Sequence, residues 1–403
     1  MIRANSLIYA IYICLIVGIL CGALLLVGSL HERLNVFYGL QSELYLDNLS
    51  TTNFALGNNL EPVDVPEQED GIRSEYTTRM HGLIEVLEVR SIRDRDTVAS
   101  AYLTGRRDDS PLALYTADFS DMLNLTGNVK VSGDMKLPLG RTKQANINHQ
   151  KNEIDLSGKV MPSDRFLPEL ADKCAAFYEE SRTWTSQPLS NVPKTGDLLY
   201  YHSFESPRLT VLLPSPLLQK AIFRGNYALV ARDSIVVDAS TVLEDVLLIA
   251  PKIVIGDNFR GTVQAFATRS IRVGKEVRLD YPSVLCVRNT GKEKMQIETG
   301  DGFSVKGLVV VTGNDFLNVD KARILFADDA RITGTVYCSG TLIAKGKING
   351  TVYASRLAYA FGGTDWLNCL GDIEIDARKP KQFLDIPVFS GQNHAYGIIK
   401  KVL

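Results

Sequence analysis

The phrase apolar-x-Gly-Thr-Val-Tyr occurs twice, at 332–337 and at 348–353, with the two copies 16 residues apart. A short phrase repeated at a fixed step is a strong constraint on a fold, because one local structure must recur with one offset. Reduced to apolar-x-Gly-x-(Val or aromatic), the phrase recurs at 125–129, 156–160, 223–227, 259–263 and 305–309. A second register runs through 229–279: Ile235, Ile253 and Ile271 fall at steps of 18, as do Val237, Ile255 and Val273.

Steps of 16 to 18 with strand-like alternation suggest stacked turns of a solenoid. A strand turns every second side chain inward. Glycine turns the corner where the backbone needs positive φ. One turn alone cannot bury its isoleucines and valines, but stacked turns can. The text is Val, Ile, Thr and Gly, which suits strands rather than a helical repeat. The reading predicts a core ladder of Ile235, Ile253, Ile271, Val237, Ile255, Val273, Ile332, Ile348, Val336 and Val352, with Gly334 and Gly350 at equivalent corners. Tyr337 and Tyr353 are expected to stack on the outer face. Right-handedness is expected from the general rule for parallel crossovers.

The segment 331–357, RITGTVYCSGTLIAKGKINGTVYASRL, resembles the bactofilins, bacterial polymer-forming β-helix proteins in which a phrase of Ile, Gly, Val and Tyr repeats about every 17 to 18 residues. The resemblance covers the C-terminal part and implies a structural scaffold that binds no nucleotide. This chain is longer than that family and carries extra segments.

At the other end, residues 7–30 are 24 residues without a charge. About 20 apolar residues span a bilayer core, so a transmembrane helix in contact with membrane lipid is expected. A tail of six residues before it predicts the N-terminus inside and the bulk outside. Leu34, Phe37, Leu40, Leu44, Leu49 and Leu56 continue a loosely amphipathic helix, and Gly57-Asn58-Asn59 is its stop signal. One helix over 6–56 would be about 75 Å long at about 1.5 Å per residue. Gly18 and Gly22 form a G-x-x-x-G that lets two helices approach closely, the expected helix–helix interface of a homo- or hetero-oligomer. The layout of residues 1–57 resembles the pilins and pseudopilins. It departs from them in having no glutamate before Glu32, where the prepilin cleavage signal would place one.

The expected fold is mainly β: a single-pass N-terminal transmembrane helix and long stalk, then a right-handed parallel β-helix. The expected divisions are a tail at 1–6, the span at 7–30, a helical stalk at 31–57 and a linker at 58–80. A small β region with the first solenoid-like turns follows at 81–162, then a helical or irregular cap or insertion at 163–222. The parallel β-helix occupies 223–376 and a C-terminal cap 377–403. Within the insertion, 163–184 reads as a helix with Phe166, Leu170, Cys174 and Phe177 on one face. Polar excursions are expected at 288–294, 313–315 and 361–370, where binding would sit.

The chemistry that can be read is sparse. Net charge is −2, from 44 basic and 46 acidic residues, which does not point to nucleic acid. Six cysteines in 403 residues are too few for a disulfide framework; Cys174, Cys286, Cys338 and Cys369 read as buried apolar side chains. There is no P-loop and no nucleophile elbow. His31, His81, His149, His202 and His394 have no metal-ligand spacing. Asp328, Asp329, Arg323 and Arg331 read as solvated charges. No catalytic, cofactor-binding or metal site and no small-molecule substrate is expected, and the chain reads as a non-enzyme. The expected role is a membrane-anchored structural protein of the bacterial cell envelope, on the model of a minor pilin-like or secretion-apparatus subunit. It would sit in the inner membrane with its β-helical bulk on the periplasmic side. The alternatives are an anchored carbohydrate-binding or carbohydrate-cleaving β-helix, and a cytoplasm-facing bactofilin-like scaffold.

Overall fold

Past the N-terminal helix the sequence has little helix-forming text, and nearly every regular element there is a strand. The computed structural model describes residues 4–66, 71–108, 110–147, 151–291, 293–313, 321–389 and 395–402. Of the positions singled out above, residues 1–3 and 67–70, His149, Lys292, Asn314, Asp315, His394 and the side chain of Cys174 lie outside the described residues. The chain divides into two units, Met1–Thr77 with Glu88–Ser100, and Thr78–Leu87 with Ala101–Leu403.

The first unit holds the helix Ala4–Gly57, 54 residues long, or about 80 Å at about 1.5 Å per residue. It is long and apolar enough to cross a membrane, and its side chains from 7 to 39 are exposed. It ends at Gly57, and Asn59 and Leu60 then take positive φ. Its second half buries Leu44, Asp47, Asn48, Thr51, Thr52 and Ala55, one face at helical spacing. This is not the expected apolar stripe: Leu34, Phe37 and Leu49 are exposed. The buried face is mostly polar because it meets backbone. The Asn48 amide donates to the carbonyls of Val89 (3.1 Å) and Val98 (3.2 Å). The Asp47 carboxylate accepts from Ser91 (3.1 Å) and from Ser74.

The second unit is built on parallel pairing. Ile235 pairs with Ile253, and Ile253 with Ile271; the ladder continues through Ile297 and Ile324 to Leu342. Val237, Ile255 and Val273 run beside it. Ile332 lies on Ile348 and Val336 on Val352, and all four are buried. A fully buried side chain of this size contributes about 1.5–3 kcal/mol. Gly307, Gly334 and Gly350 share one register position with φ of 140°, 127° and 148°. A Cβ on Gly334 would overlap the carbonyl oxygen of Gly307, and one on Gly350 that of Gly334. Glycine is therefore required twice over, by the dihedral and by the carbonyl packed against it.

The pairing also closes a ring of six parallel strands. Arg260–Val273 pairs with Arg278–Asn289 through its first part and with Met295–Thr299 through its second. These lead through Ser304–Gly313 and Ala322–Leu325 to Arg331–Ile343, which pairs with both. The ring arises because two successive strand pairs, Arg278–Asn289 with Met295–Thr299 and Ser304–Gly313 with Ala322–Leu325, stand between two unbroken strands, Arg260–Val273 and Arg331–Ile343.

Three expectations are corrected. Residues 111–162 do not lead into the ladder at 223. The strand Leu112–Thr116 pairs with Gly346–Phe361, and Leu123–Ser132 pairs with Cys369–Asp376, so this early segment extends the stack beyond its C-terminal strands. Residues 187–218 are not an insertion, because Gln187–Pro188 and Leu199–His202 pair into the same ladders. The helix expected at 163–184 is only Lys173–Thr183. Pro168 lacks an N–H and disfavours helix before it, so Phe166 is exposed while Phe177 is buried.

Tyr337 and Tyr353 are neighbours (6.3 Å between ring centroids), but their outward face is covered. They belong to an outward ladder, Phe266–Cys286–Val310–Tyr337–Tyr353–Tyr115, that is buried throughout. Leu83, Ile84 and Leu103 cover it, with Phe177 and Tyr178 of the short helix and Ile386 and Val388 near the C-terminus. The Tyr178 hydroxyl donates to the carbonyls of Ala267 (3.0 Å) and Cys286 (2.9 Å). The segments expected as end caps thus lie along a flank, and Tyr396–Lys401 pairs antiparallel with Asp96–Arg106. Strands apolar on both sides need cover on both sides.

Gly334→Ala should destabilise the protein by about 3 kcal/mol or more, from positive-φ strain plus steric overlap, whereas Ile348→Val should cost about 0.5–1.5 kcal/mol. Denaturant unfolding of the two purified variants checks the order.

Candidate functional site

The outward side of the repeated phrase lines a small polar cavity. The outward-facing residues of the two phrases supply Thr335, Thr351 and Tyr353. The segment after Asp376 passes over them and is held by paired backbone bonds between Arg106 and Asp385 (2.8 and 2.6 Å). Asp385 is buried, and its Oδ1 accepts from the Lys379 ammonium at 2.7 Å, with both side chains about nine-tenths buried. Its Oδ2 has no hydrogen-bond partner among the described residues. Asp385, Arg106, Asp108, Thr335, Thr351 and Tyr353 line a cavity of about 30 Å³, room for one or two waters. Burial raises the Asp385 carboxyl above its ordinary value, and the Lys379 charge opposes that shift without cancelling it.

An open cleft of about 340 Å³ adjoins this cavity at Asp108, lined by Arg107, Ser110, Arg378, Lys379, Lys381 and Phe383. Its charge is partly consumed. Arg378 grips Asp376 in a two-pronged pair (3.0 and 2.9 Å), which holds the Asp376 carboxyl below its ordinary value. Lys379 is committed to Asp385. The arrangement fastens the C-terminal segment across the Gly-Thr-Val-Tyr strands, and the small cavity has no room for a substrate of ordinary pocket size.

A second buried polar joint centres on His81. Its Nε2 lies 2.8 Å from the carbonyl oxygen of Asp245, so Nε2 carries the proton, and Nδ1 lies 3.2 Å from Asn226 Oδ1. Burial is the main cause that pushes its pKa down from 6.5 to about 3, with the Asp245 carbonyl opposing. Close by, Lys400 reaches both Glu244 and Asp245 at 2.7 Å.

The residues singled out from sequence fall into three places. Gly18 and Gly22 sit on the exposed helix, where an added Cβ would meet nothing within 4 Å. The isoleucine, valine and glycine positions are inside the parallel ladders described above. Asp328, Asp329 and Arg323 are in separate contacts: Asp328 with Lys345 (3.0 Å), Asp329 with the Gly302 N–H (2.8 Å), and Arg323 with Asp365 (2.8 Å). Cys286, Cys338 and Cys369 are buried free thiols, and burial pushes Cys338 up to about 12 and Cys369 to about 11. Among the described residues no three His, Cys, Asp or Glu side chains converge as a metal site. Sequence reasoning missed Asp385, Lys379 and His81. The one available signal for the covered flank was the unbroken apolar text of 284–287 and 308–311. Comparisons with protein-family models, with curated proteins and with solved structures gave no match.

Lys379→Met should cost about 3–5 kcal/mol, because it strands a buried carboxylate. The loss should grow as pH rises and Asp385 must ionise, and replacing Asp385 by Leu in the same chain should restore most of it. For His81, the folded pKa lies below the unfolded one, so the unfolded chain takes up the proton first. Stability should fall as pH drops from about 6.5 towards about 3, by up to about 1.4 kcal/mol per pH unit. His81→Gln should remove that component of the slope, read as the difference between the two proteins in denaturant midpoints across pH.

Proposed function

We propose that this chain is a membrane-anchored structural scaffold of a bacterial cell envelope. The helix would hold it in the inner membrane with the parallel β unit on the outer, periplasmic side. In this reading the stacked ladders are the coils of a right-handed parallel β-helix, related in kind to the bactofilins, and the helix works as in a minor pilin-like or secretion-apparatus subunit. No catalytic step is assigned.

One observation carries the reading. A helix with a charge-free run of 24 residues, exposed from 7 to 39, stands in the same chain as ladders whose interior is filled by apolar side chains. Lipid accounts for about 20 residues of such a helix. Leu34, Phe37, Tyr38, Tyr45 and Leu49 are exposed beyond that length, and water is a poor neighbour for them. Association with like or related helices would cover them, and in the membrane the Gly18–Gly22 face lets two helices approach closely. A filled solenoid offers stiffness and surface rather than a pocket.

Replacing Gly18 and Gly22 together by leucine should reduce cysteine crosslinking between copies, through Cys14 or Cys21, several-fold in membranes. Unchanged crosslinking would remove the helix face from the proposal. Protease added to spheroplasts should digest the β unit without rupture of the inner membrane; digestion only after rupture would place it in the cytoplasm.

A further inference from the structure

The strand Gly346–Phe361 runs past the end of its parallel partner and turns back as Thr364–Leu367, an antiparallel hairpin. Gly362 and Gly363 form its tip with φ of 61° and 77°, and nothing lies within 4 Å of where their Cβ atoms would be. This is the mirror-image turn that suits two-residue hairpins. Period-two alternation places Tyr359, Phe361, Thr364 and Trp366 on one face, since Tyr359 pairs with Trp366 and Phe361 with Thr364. Leu367 belongs to the opposite face.

Of the two exposed rings, Phe361 is held against a buried neighbour. Tyr359 is buried, and its hydroxyl donates to Asp372 Oδ2 at 2.5 Å. Phe361 stacks on Tyr359 with planes 7° apart and centroids 6.0 Å apart. Phe361 and Trp366 nevertheless stay 40% and 45% exposed. Across the hairpin, Asp365 is tied to Arg323 at 2.8 Å, and both remain partly open to solvent. The hairpin therefore carries two aromatic residues on one face and leaves both largely uncovered.

We propose that Phe361 and Trp366 are a platform for a glycan strand of equatorially linked pyranose rings. Such rings have a flat C–H face that suits the negative face of an aromatic ring, and hydroxyl edges that suit Thr364, which shares the face of Phe361 and Trp366. Diagonal neighbours across a hairpin are about 7–8 Å apart, so the two rings can meet separate sugars of one chain. Two rings are far less apolar surface than the roughly 800 Å² per partner of a stable protein interface, which argues against a protein occupant. The platform goes beyond the scaffold role and stands without it, because it rests on the hairpin alone.

The chain has two tryptophans. Trp184 sits beneath the Arg208 guanidinium (3.3 Å) and against Phe177 (5.5 Å), so Trp184→Phe leaves Trp366 as the reporter. Detergent-solubilised full-length protein would be titrated with β-1,4-linked N-acetylglucosamine hexamer, with cellohexaose, and with α-linked maltohexaose. A saturable change in Trp366 emission is expected with at least one β-linked oligomer and a weaker one with the α-linked oligomer. Phe361→Ala should weaken binding at least tenfold, and Trp366→Ala should do the same when binding is read by calorimetry. Leu367→Ala, on the other face, should leave it intact. All three variants should keep the thermal midpoint of the parent, because Phe361, Trp366 and Leu367 are each exposed. No response to either β-linked oligomer, or a response that survives Phe361→Ala, would overturn the platform. So would loss of a copurifying protein in Trp366→Ala without any glycan response.

Discussion

The second unit depends on one constraint, that each parallel strand takes the register of the strand beside it. In that register like side chains sit at equal height, so isoleucine meets isoleucine and glycine meets glycine. The inward residues gain the burial that one strand could not provide. The cost falls on the backbone, where the Gly334 and Gly350 positions lie so close to the preceding carbonyl that no side chain fits. The repeat is therefore a product of packing, and residues recur because positions recur.

The same register creates a second demand. On one flank the outward positions are also apolar, from Phe266 through Cys286 and Val310 to the tyrosines. An apolar ladder facing water would be unfavourable, and the segments without a place in the stack lie over it: the strands around Leu83 and Leu103, the short helix with Phe177, and the residues near Ile386. Contact with other molecules is then left to the remaining faces and to excursions such as the aromatic hairpin.

Apolar contact has no direction, so it does not by itself decide how a covering segment is aligned. Buried polar joints are placed where such alignment is needed. Asn48 spans two carbonyls in the first unit. In the second, His81 donates to the Asp245 carbonyl, and Lys379 closes on Asp385. Each would be costly to leave half-made, which ties one alignment to stability.

The inner ladders were legible because their cause is local. The alternation of a strand and the step between Ile235, Ile253 and Ile271, or between Ile332 and Ile348, can both be read from residue order. The charge-free helix was legible for the same reason, since length and apolarity along one element suffice. What residue order could not convey was which distant segments meet. Nothing in 111–162 announces that it stacks beyond Cys369–Asp376 rather than before 223, because a parallel strand accepts any neighbour of matching pattern. The Asp385–Lys379 pair was likewise invisible as a site; 361–370 stood out as an excursion, but nothing in it showed that Phe361 and Trp366 share one face of a hairpin. By itself the sequence determined a long apolar helix and a repeating parallel β interior, both of which follow from periodicity. The order of the stack, its covered flank and the three polar joints were decided only by tertiary structure, because they depend on residues far apart in the chain competing to satisfy the same buried surface.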